Sequence, residues 1–193
     1  MSDRRKQLEA AVAVIKAKHN QNKGGATVQG TAVTDKTIYI ATSVKGAGGI
    51  IKLIDVNTKK EVGVTNIDGN KLNAGRDYVI DGARVFFDSG NANVRNADWK
   101  DDIPAELLNS EIKIKQDNQL LFDMPISDLT DRIYGSGGVV IGGSNMFRDI
   151  STSPIIRTEE EFEIELEFPK GVSMSSSVEA SLRVEFRVHQ GKK

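Results

Sequence analysis

Two alternating segments late in the chain constrain the fold more than any other feature. Phe162, Ile164, Leu166 and Phe168 alternate with Glu161, Glu163, Glu165 and Glu167. From Val178 to Val188, apolar residues alternate with Glu179, Ser181, Arg183, Glu185, Arg187 and His189. A period of two sends successive side chains to opposite faces of a strand, so each segment reads as a strand with one buried face. Pro169-Lys170-Gly171 and a Ser-rich stretch connect them. Placed side by side, the glutamates of the first would face Arg183 and Arg187 of the second, each pair adding about 0.2–1 kcal/mol. His189 is expected to face outward, and the final strand to lie in the core, so that its removal unfolds the protein.

The rest of the body reads the same way. Residues 38–44 and 50–56 are β-rich runs around a glycine-rich connection at 45–49, which predicts a hairpin, and a further strand is expected at 61–66. Asp81-Gly82, between 77–80 and 83–87, has the sequence of a tight turn and predicts a second hairpin. A third is expected where 112–115 turns at Gln116-Asp117-Asn118 into 119–122. Two short helices are expected. One starts at Pro104, with Asp101 and Asp102 near its positive end. The other is capped by Ser127 and runs to Tyr134, closed by Gly135. The glycine-dense stretch from Gly135 to Asn145 surrounds a small apolar island and reads as a surface loop or a short docking strand. About eight to ten short strands with few helices fit a mainly β protein, an antiparallel β-sandwich or jelly roll, better than alternating βαβ units.

The first residues are different in kind. Residues 3–19 have helical periodicity, with Leu8, Ala11, Val12 and Ile15 on one face. Arg4, Arg5, Lys6, Lys16, Lys18 and Lys23 stand against Asp3 and Glu9 in residues 1–25, a net +4 that leaves −5 on the remainder of a chain whose total is −1. Residues 20–37, with Gly24, Gly25 and Gly30 among polar side chains, read as a linker. The expected division is an N-terminal helical arm and linker at 1–37 and a β-sandwich body at 38–193. An isolated helix of this length is marginal in water and needs a surface. That surface is protein (the chain's own sheet or a sister subunit), nucleic acid, or a membrane interface. The residues expected to make the contact are Arg4, Arg5, Lys6, Leu8, Val12, Ile15, Lys16 and Lys18. The plainer alternative is a solvated helix face.

Several chemistries find no support in the sequence. The chain has no cysteine, which removes disulfides, thiolate catalysis and zinc–thiolate sites. His19 and His189 lie far apart in sequence, which argues against a histidine metal site or a catalytic triad. Neither glycine-rich stretch fits a phosphate loop: Gly135 to Ser144 has no lysine, and Gly46 to Gly49 lacks the dinucleotide spacing and precedes a strand. Asp88, Asp98, Asp102 and Glu106 are candidates for a carboxylate pair but read more simply as turn and helix-start residues. Asp55 to Lys59 starts like a calcium loop that Lys59 spoils, and Asp68 with Asn70 or Asp88 with Asn91 are loop calcium candidates. The basic arm has no aromatic, so any nucleic-acid contact there would be electrostatic. No run approaches the roughly 18 apolar residues of a spanning helix, and no signal-peptide pattern opens the chain. A cytosolic product, or one assembled in the cytosol, is expected, without cofactor, metal or catalytic residues.

Two segments together with the arm resemble the jelly-roll capsid or other virion structural proteins of bacteriophages. One runs from Leu107-Leu108-Asn109-Ser110-Glu111-Ile112-Lys113-Ile114-Lys115 to Leu121-Phe122-Asp123-Met124-Pro125-Ile126. The other is Pro154 followed by the Phe162–Phe168 strand, Pro169-Lys170-Gly171 and the final strand. The resemblance implies a virion subunit, assembled in the host cytoplasm, that self-associates into a symmetric particle without catalysis. Its partners would be copies of itself and other virion proteins, with nucleic acid or the inner membrane surface as further targets of the arm. The body's acidity departs from a genome-facing role. The competing reading is a β-sandwich binding module, carbohydrate-binding or adhesive, with its site at Trp99 and the loop 171–177. A jelly-roll enzyme would need inward histidine and carboxylate ligands.

Overall fold

The computed structural model describes residues 32–73, 76–130 and 147–192, together with Lys6, Glu9, Ala13 and Ala17. Among the described residues, nine strands form two antiparallel sheets: β1 (Ala32–Ser43), β2 (Ile50–Ile54), β3 (Tyr78–Asp88), β4 (Glu111–Gln116), β5 (Gln119–Pro125), β6 (Arg148–Asp149), β7 (Ile155–Ile156), β8 (Phe162–Glu167) and β9 (Ser181–Lys192). One sheet runs β1-β9-β3-β6, with β7 also paired to β3, and the other runs β2-β8-β4-β5. The protein is mainly β and the two sheets stack as a sandwich.

The alternation read from the sequence decides which side chains lie between the sheets. Ile38 and Ile40 of β1, Ile112 and Ile114 of β4, Phe162, Ile164 and Leu166 of β8, and Leu182, Val184, Phe186 and Val188 of β9 are all buried in one core cluster. Phe122 meets Phe186 edge-to-face across the sandwich, with ring centres 5.7 Å apart, a geometry the ring quadrupoles favour. The β4–β5 hairpin forms as expected, with Asp117 and Asn118 both at positive φ, as a tight type I′ turn requires. The helical turn Ala105–Leu108 also follows Pro104 as expected, with Leu107 buried beneath it.

Pairing runs from the outside inward. β1 pairs with β9, β2 with β8, β3 with β6 and β7, and β4 with β5. β3 also pairs with β9 and β4 with β8, which makes each sheet continuous.

Several expectations are corrected by this arrangement. β8 and β9 do not pair; they lie in different sheets, and β9 sits between β1 and β3. Asp81-Gly82 is no turn. β3 runs straight through it with Asp81 as an extra residue, since Ile80 pairs with Val188 and Gly82 with Arg187. That is a β-bulge, and it shifts the buried phase from Tyr78 and Ile80 to Ala83, Val85 and Phe87. The connection at 45–49 is no hairpin either, because it carries the chain from one sheet to the other, bridging Gly48 to Ser173 on the way. Residues 61–66 form turns that cover the edge of β1: Ala41 N–H donates to the Val64 carbonyl at 2.7 Å. Asn66 accepts from Tyr39 N–H and donates to the Thr37 carbonyl. Such covering blunts an edge strand that would otherwise offer its backbone to another chain. β1 also reaches back to Ala32, into residues expected as linker. The second short helix is a 3₁₀ turn, Ile126–Leu129, that begins after Pro125 rather than at a Ser127 cap. Its expected continuation to Tyr134 and the segment Gly135 to Asn145 lie outside the described residues.

Candidate functional site

Of the expected contact residues in the arm, Lys6 is helical and exposed, as are Glu9, Ala13 and Ala17. Arg4, Arg5, Leu8, Val12, Ile15, Lys16 and Lys18 lie outside the described residues. The structure therefore directs attention to the surfaces of the body.

The outward face of the β1-β9-β3 sheet is occupied by a chain of ion pairs, and His189 is buried in it rather than exposed. The bulge makes this possible, because it turns the Asp81 carboxylate onto β9. Arg187 Nε donates to Asp81 Oδ1 at 2.7 Å, and His189 Nε2 lies 2.7 Å from Asp81 Oδ2. The other ring nitrogen, Nδ1, lies 2.9 Å from Asp35 Oδ1 on β1, and Arg187 Nη2 reaches Asp149 on β6 at 2.8 Å. Further along, Glu185 is shared between Arg84 on β3 and Arg183. Rings lie over these guanidiniums: Tyr39 at 4.5 Å from Arg183, and Phe147 at 4.3 Å from Arg84 and 5.3 Å from Arg187. Such stacking is favourable.

The protonation states follow from these contacts. The hydrogen bond to Asp81 holds the His189 imidazolium above the usual histidine range, against the burial that would lower it, with the charges of Asp81 and Asp35 adding to the effect. Burial would raise the Asp81 carboxyl, but the hydrogen bonds and charges of His189 and Arg187 outweigh it and hold the group below its usual value. With both ring nitrogens engaged by carboxylates, His189 is a two-ended cationic bridge between β1 and β3 rather than a base with a nitrogen free for substrate. Its chemistry is that of a structural lock.

The outward face of the second sheet carries a lattice of lysines and glutamates. Lys52 Nζ bonds Glu163, Lys115 Nζ bonds Glu165 and Lys113 Nζ bonds Glu167, each at 2.6 Å. The β8 glutamates expected to face Arg183 and Arg187 thus find lysines of β2 and β4, and in each case the partner is diagonal in the register rather than directly opposite. Glu167 and Glu111 hold the Lys113 ammonium above the usual lysine range, and Lys113 in turn holds Glu167 below the usual carboxylate range.

The calcium candidate at Asp88 and Asn91 is tied up internally. The Asp88 carboxylate is buried and accepts from the backbone N–H groups of Gly90, Asn91 and Asp98 and from the Asn91 amide. These donors outweigh the effect of burial and keep the group ionised below its usual range. Asp68 accepts from Lys60 N–H at 3.3 Å.

A cleft of about 340 Å³ opens at the end of the sandwich where β1 finishes and β9 begins. Phe87, Pro104, Met174 and Val178 line it with apolar surface, and Glu106 and Glu179 stand among its carboxylates. The loop 171–177 contributes Met174 to this cleft, but Trp99 is not among its lining residues. Trp99 lies 5.8 Å from the Arg183 guanidinium on the outer sheet face.

The sequence carried a signal for the ionic face that a reading by hydrophobic period passes over. Charges of both signs recur on the polar positions of β9, and the apolar phase breaks at Asp81. Comparison with family models, with curated proteins and with solved structures finds no match to this chain.

Proposed function

We propose that the chain is a structural subunit of a virus particle, a bacteriophage capsid or other virion protein. In this reading the sandwich is a jelly roll and the basic N-terminal segment is an arm that contacts neighbouring subunits or the particle interior. The observation that carries the reading is the pairing of the two sheets, β1-β9-β3-β6 and β2-β8-β4-β5. Jelly rolls distribute a folded-over ribbon between two sheets in this way, and virus shells are among their principal uses. A fold of this kind hosts several functions, so the site has to choose among them. Here the space between the sheets is filled by side chains such as Phe122, Phe162 and Phe186, which makes it a core rather than a ligand cavity. Charge is separated between a segment of +4 and a remainder of −5, which favours contact between the arm of one subunit and the body of another.

Light scattering of the purified full chain, with and without residues 1–25, tests the proposal. The full chain is expected to associate, and removal of the arm to abolish or reduce that association. A strict monomer at high concentration, indifferent to the arm, would overturn it.

A further inference from the structure

We infer that the cleft between Pro104 and Val178 is the seat for the N-terminal arm of a second copy of this chain, which deepens the assembly reading above and rests on it. Two kinds of complementarity support the assignment. The cleft has an apolar floor, Phe87, Pro104 and Met174, with Val178 left 53% exposed at its side. The arm offers an apolar stripe of Leu8, Val12 and Ile15 at helical spacing. The second complementarity is charge. Glu106 and Glu179 stand at the cleft, while Arg5, Lys16 and Lys18 flank the stripe in the same helical projection. Glu179 also holds Lys45 at 2.6 Å, so an incoming cation would compete with that exposed pair.

The choice of a second copy follows from the assembly reading, in which the +4 segment of one subunit meets the −5 body of another. The cleft lies past the far end of β1, where Val44 N–H donates to the Ala180 carbonyl at 2.8 Å.

The absence of cysteine from the chain makes the test clean. Full-length V12C and full-length V178C are mixed under mild oxidation, with each variant alone as control, and light scattering is run in parallel. The expected product is a mixed disulfide dimer, with a yield about tenfold lower when the V178C partner also carries E106K, as loss of a favourable interfacial contact implies. Association without the mixed link would overturn the cleft assignment and leave the assembly reading standing, whereas no link and no association would remove both. An intrachain link in monomeric V12C/V178C would place the arm on its own body and overturn the second-copy assignment. Association that nuclease abolishes, again with no mixed link, would give the arm to nucleic acid instead.

Discussion

Gly82 sits where a side chain has no room. A β-carbon built there would lie 2.9 Å from Phe147 Cβ and 3.1 Å from Arg187 Nη2. Gly82→Ala is therefore expected to destabilise by about 1–3 kcal/mol through overpacking. Gly90→Ala, which meets open space, should stay within about 0.5 kcal/mol, and thermal melts of the two variants make the comparison. His189 gives a second prediction, in pH. Its folded pKa is raised, so the stability it contributes is fully present below the unfolded value of about 6.5 and is lost as pH rises through the folded value. Asp81 has the opposite sign, contributing above its unfolded value and losing that contribution as pH falls through its depressed folded value. Melting temperatures of the natural chain and His189→Gln are expected to converge as pH is raised from 5.5 to 9. A difference that stays constant would mean that the imidazolium is not the stabilising form. Neither residue announced its role in the sequence. Asp-Gly is favoured by tight turns and bulges alike, and only the partner strand, more than a hundred positions away, selects the bulge.

At the scale of the elements, the strands were legible and their partners were not. The strict alternation of β8 and β9 and the Asp117-Asn118 turn are local signals, and those segments form strands and a turn, although β9 begins at Ser181 and leaves Val178, expected on its buried face, 53% exposed before it. Sheet membership depends on contacts between distant parts of the chain: Ile38 pairs with Phe186, and Glu111 with Glu167. Local pattern leaves such choices open. The glutamates of β8 could have met arginines or lysines, since both lie on alternating strands of suitable length. The consequence for β9 is testable. Phe186 is fully buried at the centre of a strand flanked on both sides, so Phe186→Asp places an unpaired charge in the core and should cost more than about 4 kcal/mol, enough to prevent folding of a marginally stable domain. Unchanged melting would contradict the placement of β9.

For the whole molecule, the proposed association of arm with body would be sensitive to ionic strength, because charge is separated between residues 1–25 and the remainder. Exposed charges more than about 10 Å apart are largely screened at 0.1 M salt. If arm and body attract as proposed, light scattering should show weaker association at 0.5 M sodium chloride than at 0.05 M, and the salt response should disappear when residues 1–25 are removed. The outside-in pairing of strands carries a further consequence, for kinetics. Ala32 aligns with Lys192 at one end of the β1–β9 ladder, so nearly the whole polypeptide must be gathered before that ladder closes. Ordering so long a loop comes ahead of the contacts that reward it, and chains dominated by distant pairings refold in milliseconds to seconds rather than microseconds. During that interval β3 has an uncovered flank, and dilute, cool conditions should raise the yield of refolded protein.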